Sequence, residues 1–328
     1  MNDQIINQFK LLAKQIKFDI DFSSGKHQMI HMFRLRSIQQ VIKIIEKFTT
    51  KITSSEQLIG IKNVGKKSLA RIDEILKTGK LSEIKISEDI DKYLSIISEL
   101  EDVFGIGRKK AYDLFKKYNV TSIHDLEQKH KTGQIILPDN IIKGLKYIGK
   151  IHGNIPRSEI DTIGDILIEV AKEIDPQLFG VICGSYRRQS LTSGDIDFVI
   201  VHTDGNNVEQ INYLEKLVIL LKHKKIIIES LTSDDVPTKY MGLCKLKGGL
   251  LRRLDIRYVP YESFYSAILY FTGSKDFNRK MRQVALEMGY ILNEYGLFDE
   301  HQQLIKTNSE KEIFDILGME YVTPDKRN

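Results

Sequence analysis

Gly184-Ser185-Tyr186-Arg187-Arg188, then Ser193-Gly194-Asp195-Ile196-Asp197 running into Phe198-Val199-Ile200-Val201, is the stretch on which the reading of this chain turns. The apolar run predicts a strand over 196–202. Side chains alternate along a strand, so Asp195 and Asp197 share one face while Ile196 takes the other. Two like charges side by side are costly unless a cation lies between them. A hard divalent ion such as Mg²⁺ takes one or two carboxylates together with substrate phosphates, which suits this pair. A third acid lies on another predicted strand, where Leu254, Ile256 and Tyr258 alternate with Arg253, Asp255 and Arg257. Asp255 therefore faces away from the apolar side. Carboxylates on neighbouring strands suit two metals about 3.5–4 Å apart, which stabilise both the attacking and the leaving oxygens of a phosphoryl transfer. The Gly-Ser turn upstream supplies backbone N–H and hydroxyl donors for a triphosphate, and Arg188 adds a fork-shaped cation.

Outward from this stretch, the pattern changes at about residue 150. Short apolar or alternating runs at 178–183, 196–202, 225–229, 240–245 and 254–260 read as strands, with helical patterns at 161–174 and 209–222. The back half is therefore mixed α/β, a sheet with helices packed on it. The front half reads as helices joined by short turns, with Ile5, Phe9, Leu12 and Ile16, and Ile38, Val41, Ile42 and Ile45, at helical spacing. Stretches 24–28, 85–91 and 202–207 read as loops. Two segments of the front half repeat, Ile61-Lys62-Asn63-Val64-Gly65-Lys66-Lys67 and Val103-Phe104-Gly105-Ile106-Gly107-Arg108-Lys109-Lys110. Each is an apolar residue, a tight turn with glycine, and a helix opening on basic residues. This is the helix-hairpin-helix pattern, in which glycines let the backbone turn and the N–H groups of the second helix face a phosphate. The lysines that follow add sequence-independent affinity for a nucleic-acid backbone.

Composition narrows the class. The 328 residues carry 41% hydrophobic side chains, enough for ordinary cores, and two cysteines, too few for a disulfide framework or a cysteine zinc site. No apolar run approaches the ~18 residues of a membrane span, and the polar opening MNDQIINQFK is not a signal peptide. Secreted, membrane-spanning, collagen-like and disordered classes are excluded on these grounds. The net charge of +5 is a difference of two parts: +9 over residues 1–150 and −4 over 151–328. That asymmetry points to a polyanion-binding front and a back that concentrates carboxylates.

With these residues in hand, the sequence resembles the family X DNA polymerases, in particular the polymerase-beta type. GSYRR followed by SGDID is similar to the nucleotidyltransferase signature of that family. Tyr270-Phe271-Thr272-Gly273-Ser274, Phe277-Asn278-Arg279-Lys280-Met281-Arg282, Asn293-Glu294-Tyr295-Gly296 and the tail EKEIFDILGMEYVTP extend the resemblance over nearly the whole chain in matching order. It implies an α/β multidomain fold. A helical lyase-like DNA-binding domain at 1–87 holds the first hairpin, and a helical DNA-binding subdomain at 88–150 holds the second. A nucleotidyltransferase-fold palm, a mixed sheet with helices, follows at 151–260. A small α/β nucleotide-binding subdomain occupies 261–328.

The implied activity is template-directed DNA synthesis of the gap-filling repair type. By resemblance, Asp195, Asp197 and Asp255 are catalytic and bind two Mg²⁺ ions, with Mn²⁺ as a substitute, and Asp255 accepts or relays the primer 3′-OH proton. Ser185, Arg188 and Gly194 hold the triphosphate. Tyr270 and Phe271 form a steric gate, Gly273 and Lys275 also bind the nucleotide, Asn278 reaches the minor-groove edge of the base, and Arg253 and Arg282 contact DNA. Arg257 and Glu294 resemble a switch pair that releases Asp197. Gly65, Gly105, Gly107, Arg34 and Lys67 belong to the DNA-binding front. Backbone carbonyls of Glu101, Val103 and Ile106, and of Ile59, Ile61 and Val64, are implied sites for Na⁺ or K⁺. The implied partners are gapped or nicked double-stranded DNA and deoxynucleoside triphosphates, bound by a monomer without a membrane. The implied address is intracellular: the nucleus for a eukaryotic cell, or the host cell or virion for a virus. The segment between the strands near Ile226 and Tyr240 is short, without the long insertion of template-independent relatives. Two other readings stay open on sequence, a nucleotidyltransferase acting on RNA or a small molecule and a non-catalytic DNA-binding scaffold.

The resemblance fails at instructive places. Lys275 stands where an acid is expected and Asn154 where a basic triphosphate contact is expected. Ile38 and Glu83 replace polar and basic residues of the lyase pocket. Arg71 occupies the position of the lysine that forms a Schiff base with a 5′-deoxyribose phosphate, and arginine stays protonated and is a poor amine nucleophile. The sequence therefore predicts no Schiff-base lyase, or a weak one on a neighbouring lysine such as Lys67. Borohydride trapping on incised abasic DNA checks this. Little cross-linking is expected, or cross-linking lost on Lys67→Ala; efficient trapping independent of Lys67 contradicts it.

Overall fold

A computed structural model of the chain describes residues 2–204 and 211–327. It comprises two compact units, residues 1–145 and 146–328. The first is helical: α1 (Asp3–Asp21), α2 (Gly25–Glu46), α3 (Lys66–Thr78), α4 (Glu88–Glu101), α5 (Arg108–Tyr118), α6 (Ile123–Lys131) and α7 (Asp139–Tyr147). The residues expected at helical spacing on α1 and α2 are all buried, and they pack together with Leu58, Ile72 and Ile75. One end of α1 is fixed to α4 and α5 by aromatic edges, Tyr93 lying 5.4 Å from Phe18 and 5.0 Å from Phe115 between ring centroids. Arg108 adds a two-pronged pair to Asp21, at 2.9 and 2.6 Å, and Tyr93 Oη donates to the same carboxylate at 2.9 Å.

The stretch 24–28, expected as a loop, is helical from Gly25 onward. Gln28 N–H donates to Ser24 O at 3.4 Å while its side chain donates to Ile20 O at 3.0 Å, so the same glutamine continues α2 and closes α1. The stretch 85–91 turns helical at Glu88, where the Ser87 hydroxyl accepts from Ile90 N–H.

The second unit contains β1 (Ile155–Pro156), α8 (Arg157–Ile174), β2 (Leu178–Ile182), α9 (Gly184–Arg187), β3 (Thr192–Ser193), β4 (Ile196–His202), α10 (Tyr213–His223), β5 (Ile227–Ser230), β6 (Lys239–Cys244) and β7 (Arg252–Tyr258). It continues with α11 (Phe264–Thr272), α12 (Lys275–Glu287), β8 (Ile291–Asn293), β9 (Gly296–Phe298), β10 (Leu304–Ile305) and α13 (Glu310–Ile316). The main sheet runs β2-β4-β7-β6-β5, with β4 and β7 parallel and the other pairs antiparallel. Ile196, Phe198 and Ile200 pack with α8 and α10 on one face, and Val199 and Val201 with α11 on the other. Both faces of β4 are therefore covered, which explains its unbroken apolar run. Small shifts separate expected and observed strands. Lys225 has φ +59° and stays outside β5, and β7 begins two residues earlier than expected because Arg252 and Arg253 pair with Cys244 and Leu243. Of the helical pattern at 209–222, residues 209 and 210 lie outside the described residues, as do 205–207 of the expected loop.

The three-stranded sheet β10-β9-β8 packs with α11, α12 and α13 around Leu269, Met281, Leu297 and Phe314. Arg327 is fully buried there among the rings of Phe277, Phe314 and Tyr321, 5.5–5.7 Å from their centroids. Glu310 accepts from Arg327 Nη1 at 2.6 Å and from both terminal nitrogens of Arg187, at 3.0 and 2.5 Å. Burial by itself would raise the Glu310 carboxyl, but the two guanidinium groups hold it below the usual glutamate range. Its ion pairing is therefore complete at neutral pH and is lost as pH falls through that depressed value. Glu310→Gln leaves the buried Arg327 and the partly buried Arg187 without their counter-charge and is expected to cost about 3 kcal/mol in urea unfolding at pH 7. The gap to wild type should close as pH falls below the usual carboxylate range; an equal gap at both pH values contradicts this assignment.

Candidate active site

The parallel register of β4 and β7 sets Asp197 directly opposite Asp255, with Ile196 opposite Leu254 on the apolar side. Adjacent strands lie about 4.8 Å apart, so the two carboxylates are neighbours by construction. Burial, followed by the charges of Asp195 and Asp255, pushes the Asp197 carboxyl up to about 7. Burial also raises Asp255, against the pull of Arg253. Arg253 Nη2 donates to Asp195 Oδ2 and, at 3.3 Å, to Asp255 Oδ2. Asp255 Oδ1 is buried without a hydrogen-bond partner. An all-oxygen set with an unused buried carboxylate oxygen fits a hard divalent ion. With the Arg253 guanidinium among the acids, no group of three His, Cys, Asp or Glu side chains among the described residues is arranged to hold a metal as it stands.

Gly184 opens α9 with φ +59°, and a Cβ there would lie 2.3 Å from Asp197 Oδ2. Glycine is required twice over at this position, for the left-handed backbone and for the room the aspartate takes. Cys183 N–H donates to Asp197 O at 2.7 Å, tying the turn to the strand. Ser185 Oγ donates to Ser193 Oγ at 2.8 Å. Arg187 and Arg188 reach the far side of the cleft, donating to Thr272 Oγ1 at 2.7 Å and Thr272 O at 2.6 Å.

Of these residues, Gly184, Ser185, Arg188, Asp195, Asp197 and Thr272 line a cleft of about 460 Å³ together with Tyr270, Phe271, Gly273, Lys275, Asn278 and Arg282. Most of the residues singled out from sequence are thus brought together. The Tyr270 and Phe271 rings meet edge to face at 5.2 Å, and Asn278 Nδ2 donates to Tyr270 O at 2.6 Å. Ser274 caps α12 by accepting from Phe277 N–H, leaving Lys275 exposed at the helix start. Gly194 stands in open space, and Asn154 takes a left-handed φ of +53°. The Arg257–Glu294 pair does not form. Arg257 instead lies over the Phe271 ring, 5.2 Å from its centroid.

In the helical unit the two repeats share the same turn geometry. Gly65 and Gly107 are N-caps with φ, ψ of −90°, 170° and −92°, 172°, and nothing would meet a Cβ at either. The positive-φ corner lies two residues earlier, at Asn63 (φ +73°) and Gly105 (φ +87°). Asparagine tolerates this region, which the glycine pattern in the sequence concealed. Val64 N–H donates to Ile61 O at 3.1 Å and Ile106 N–H to Val103 O at 3.0 Å, closing both turns alike. Lys66, Lys67, Lys109 and Lys110 remain exposed at the helix starts, whereas Arg108 is spent on Asp21. Around the first hairpin a cleft of about 440 Å³ is lined by Ile30, Arg34, Ile38, Gly65, Lys67 and Arg71, among others. Glu83 accepts from Arg34 Nη2 at 2.7 Å and from Arg71 Nε and Nη2, so both arginines are already paired. Burial would raise Glu83, but Arg71 and Arg34 together hold it below the usual range.

Three family descriptions match the chain: helix-hairpin-helix domain over residues 2–81, DNA polymerase beta palm over 154–261 and DNA polymerase beta thumb over 267–328. Among curated relatives, a DNA polymerase lambda of Arabidopsis thaliana is 33% identical, over 89% of this chain and 57% of its own length. A DNA polymerase lambda of Rattus norvegicus is 30% identical over 90% and 52%. A DNA nucleotidylexotransferase of Xenopus laevis is 25% identical over 98% and 67%. The chain thus spans about half the length of the two polymerases it matches.

The crowding at Gly184 yields a stability test. Gly184→Ala is expected to cost about 2 kcal/mol or more in chemical unfolding, because a side chain there is strained and displaces Asp197. Gly194→Ala, in open space, should stay within about 0.5 kcal/mol of wild type. Equal effects at the two glycines contradict the packing described.

Proposed function

Because the chain belongs to the family X DNA polymerases, we propose that it is a template-directed, gap-filling DNA polymerase of the repair type, adding deoxynucleotides to a primer 3′-OH. The observation that carries this reading is the register that seats Asp255 against Asp197, which with Asp195 lines a cleft shared with Arg188, Tyr270, Phe271 and Asn278.

Asp195, Asp197 and Asp255 would hold the divalent ions, Mg²⁺ or in its place Mn²⁺. Bound there, the ions supply electrostatic stabilisation of the charge that develops on the transferring phosphate. The chain itself orients the reactants. Ser185, Arg188 and the backbone at Gly194 bind the triphosphate, with Lys275 adding charge at the cleft edge. Tyr270 and Phe271 crowd a ribose 2′-OH, Asn278 addresses the base and Arg282 the template. The primer 3′-oxygen forms a bond to the α-phosphorus as the bond to the pyrophosphate oxygen breaks, and the hydroxyl proton passes to the Asp255 carboxylate.

The charged front supports the DNA assignment. Residues 1–87, with Arg34, Lys67 and Gly65, form the lyase-like DNA-binding domain in this reading. Residues 88–150, with Gly105 and Gly107, grip a second backbone segment, residues 151–260 form the palm and 261–328 the nucleotide-binding subdomain. Na⁺ or K⁺ would bind the carbonyls at Ile59, Ile61 and Val64 and at Glu101, Val103 and Ile106. The protein would act as a monomer on gapped or nicked duplexes. Among the described residues, no helix is long and apolar enough to cross a membrane. The short connection from β5 to β6, residues 231–238, favours templated over untemplated addition.

Extension of a primer across a one-nucleotide gap, with and without a downstream 5′-phosphate, tests the reading. Templated deoxynucleotide addition is expected, lowered by Asp255→Ala on the order of 10³-fold or more with DNA binding retained. Extension that survives the substitution, or preference for ribonucleotides, contradicts it.

A further inference from the structure

Two adjacent arginines on β7 are held in opposite ways. Arg252 is buried, and all three of its side-chain nitrogens are used. Nε and Nη2 donate to Glu159 at 2.8 and 2.6 Å, and Nη1 to His152 O and Gly153 O at 2.9 and 3.1 Å. This is how a permanently seated guanidinium is satisfied. Arg253, one residue on, leans between the carboxylates of Asp195 and Asp255 with a single nitrogen, Nη2. Its Nε is buried without a partner, and about a third of its side chain is exposed. It is close enough to neutralise the acids but lacks the contacts that would fix it there. Arg257, which with Glu294 resembles a switch pair that releases Asp197, lies over the Phe271 ring.

We propose that Arg253 is a displaceable counter-cation: in the free protein it holds Asp195 and Asp255 together, competes with a divalent ion for their oxygens, and turns to a backbone phosphate when DNA binds. The inference rests on the polymerase reading of this site. Arg253 Nη2 occupies the Oδ2 atoms of Asp195 and Asp255 and sets a positive charge between the acids, so withdrawal of Arg253 strengthens ion binding. A phosphate diester is the acceptor that a freed, partly exposed guanidinium would take. Each ligand then favours the other, and by reciprocity both affinities change by the same factor. The residue is a positioning residue in this scheme, and its signature is a coupling between two binding equilibria.

The test is Mn²⁺ binding to the full chain without nucleotide, read from the electron paramagnetic resonance of free Mn²⁺, with and without a primer–template duplex. Mn²⁺ taken up by the duplex alone is subtracted. Arg253→Met keeps the apolar stem and removes the charge. It is expected to bind Mn²⁺ about tenfold more tightly than wild type without DNA. Duplex should tighten Mn²⁺ binding in wild type and leave the variant unchanged. Arg253→Lys, which keeps the charge and loses the fork, should fall between them. Equal or weaker Mn²⁺ binding by Arg253→Met, or an equal DNA effect in both proteins, overturns the proposal. If Arg253→Met does not fold, wild type alone decides, since Mn²⁺ affinity indifferent to DNA also overturns it. Gap extension is scored on the same preparation, so lost coupling with intact extension defeats this inference and not the polymerase reading.

Discussion

The α/β unit is arranged around one unfavourable contact, the parallel register that sets Asp197 beside Asp255 with Asp195 just before the same strand. Like charges at adjacent strand positions repel, and burial sharpens the repulsion by removing water. The sheet tolerates this because the opposite face of the same strands is apolar and fully packed, with Phe198, Ile200, Leu254 and Ile256 buried. Gly184 leaves room for the Asp197 carboxylate, and α11 covers the strand beyond it. Polar strain is thereby confined to one end of two central strands, where the Arg253 guanidinium offsets it.

Much of this was legible in sequence because strand alternation is rigid. Asp-Ile-Asp followed by an apolar run fixes which side chains share a face, and the Leu254/Asp255/Ile256 alternation fixes the partner strand in the same way. The order of the strands was not legible, and with it the direct pairing of Asp197 and Asp255, since register depends on contacts between distant segments. Nor was the place of Arg253, whose role depends on where a flexible side chain settles between two strands. Arg327 was missed entirely. Its burial requires three aromatic rings and Glu310 to converge, and no local pattern signals that. Asn63 was concealed for a different reason. The left-handed corner of the first hairpin accepts asparagine, so the eye follows Gly65, which needs no special backbone conformation.

The charge asymmetry gains a structural meaning. In the helical unit the lysines at the starts of α3 and α5 stay exposed, while arginines are drawn into pairs, Arg108 with Asp21 and Arg34 and Arg71 with Glu83. The pocket where the family resemblance placed a nucleophilic amine thus holds a neutralised guanidinium. Its remaining cations are Lys66 and Lys67.

The most direct test of the central claim is anomalous diffraction from crystals of the chain with one-nucleotide-gapped DNA, a non-hydrolysable deoxynucleoside triphosphate and Mn²⁺. Anomalous peaks ligated by Asp195, Asp197 and Asp255 beside the α-phosphate are the predicted result. Nucleotide bound in the cleft with Mn²⁺ at none of these carboxylates would contradict the account.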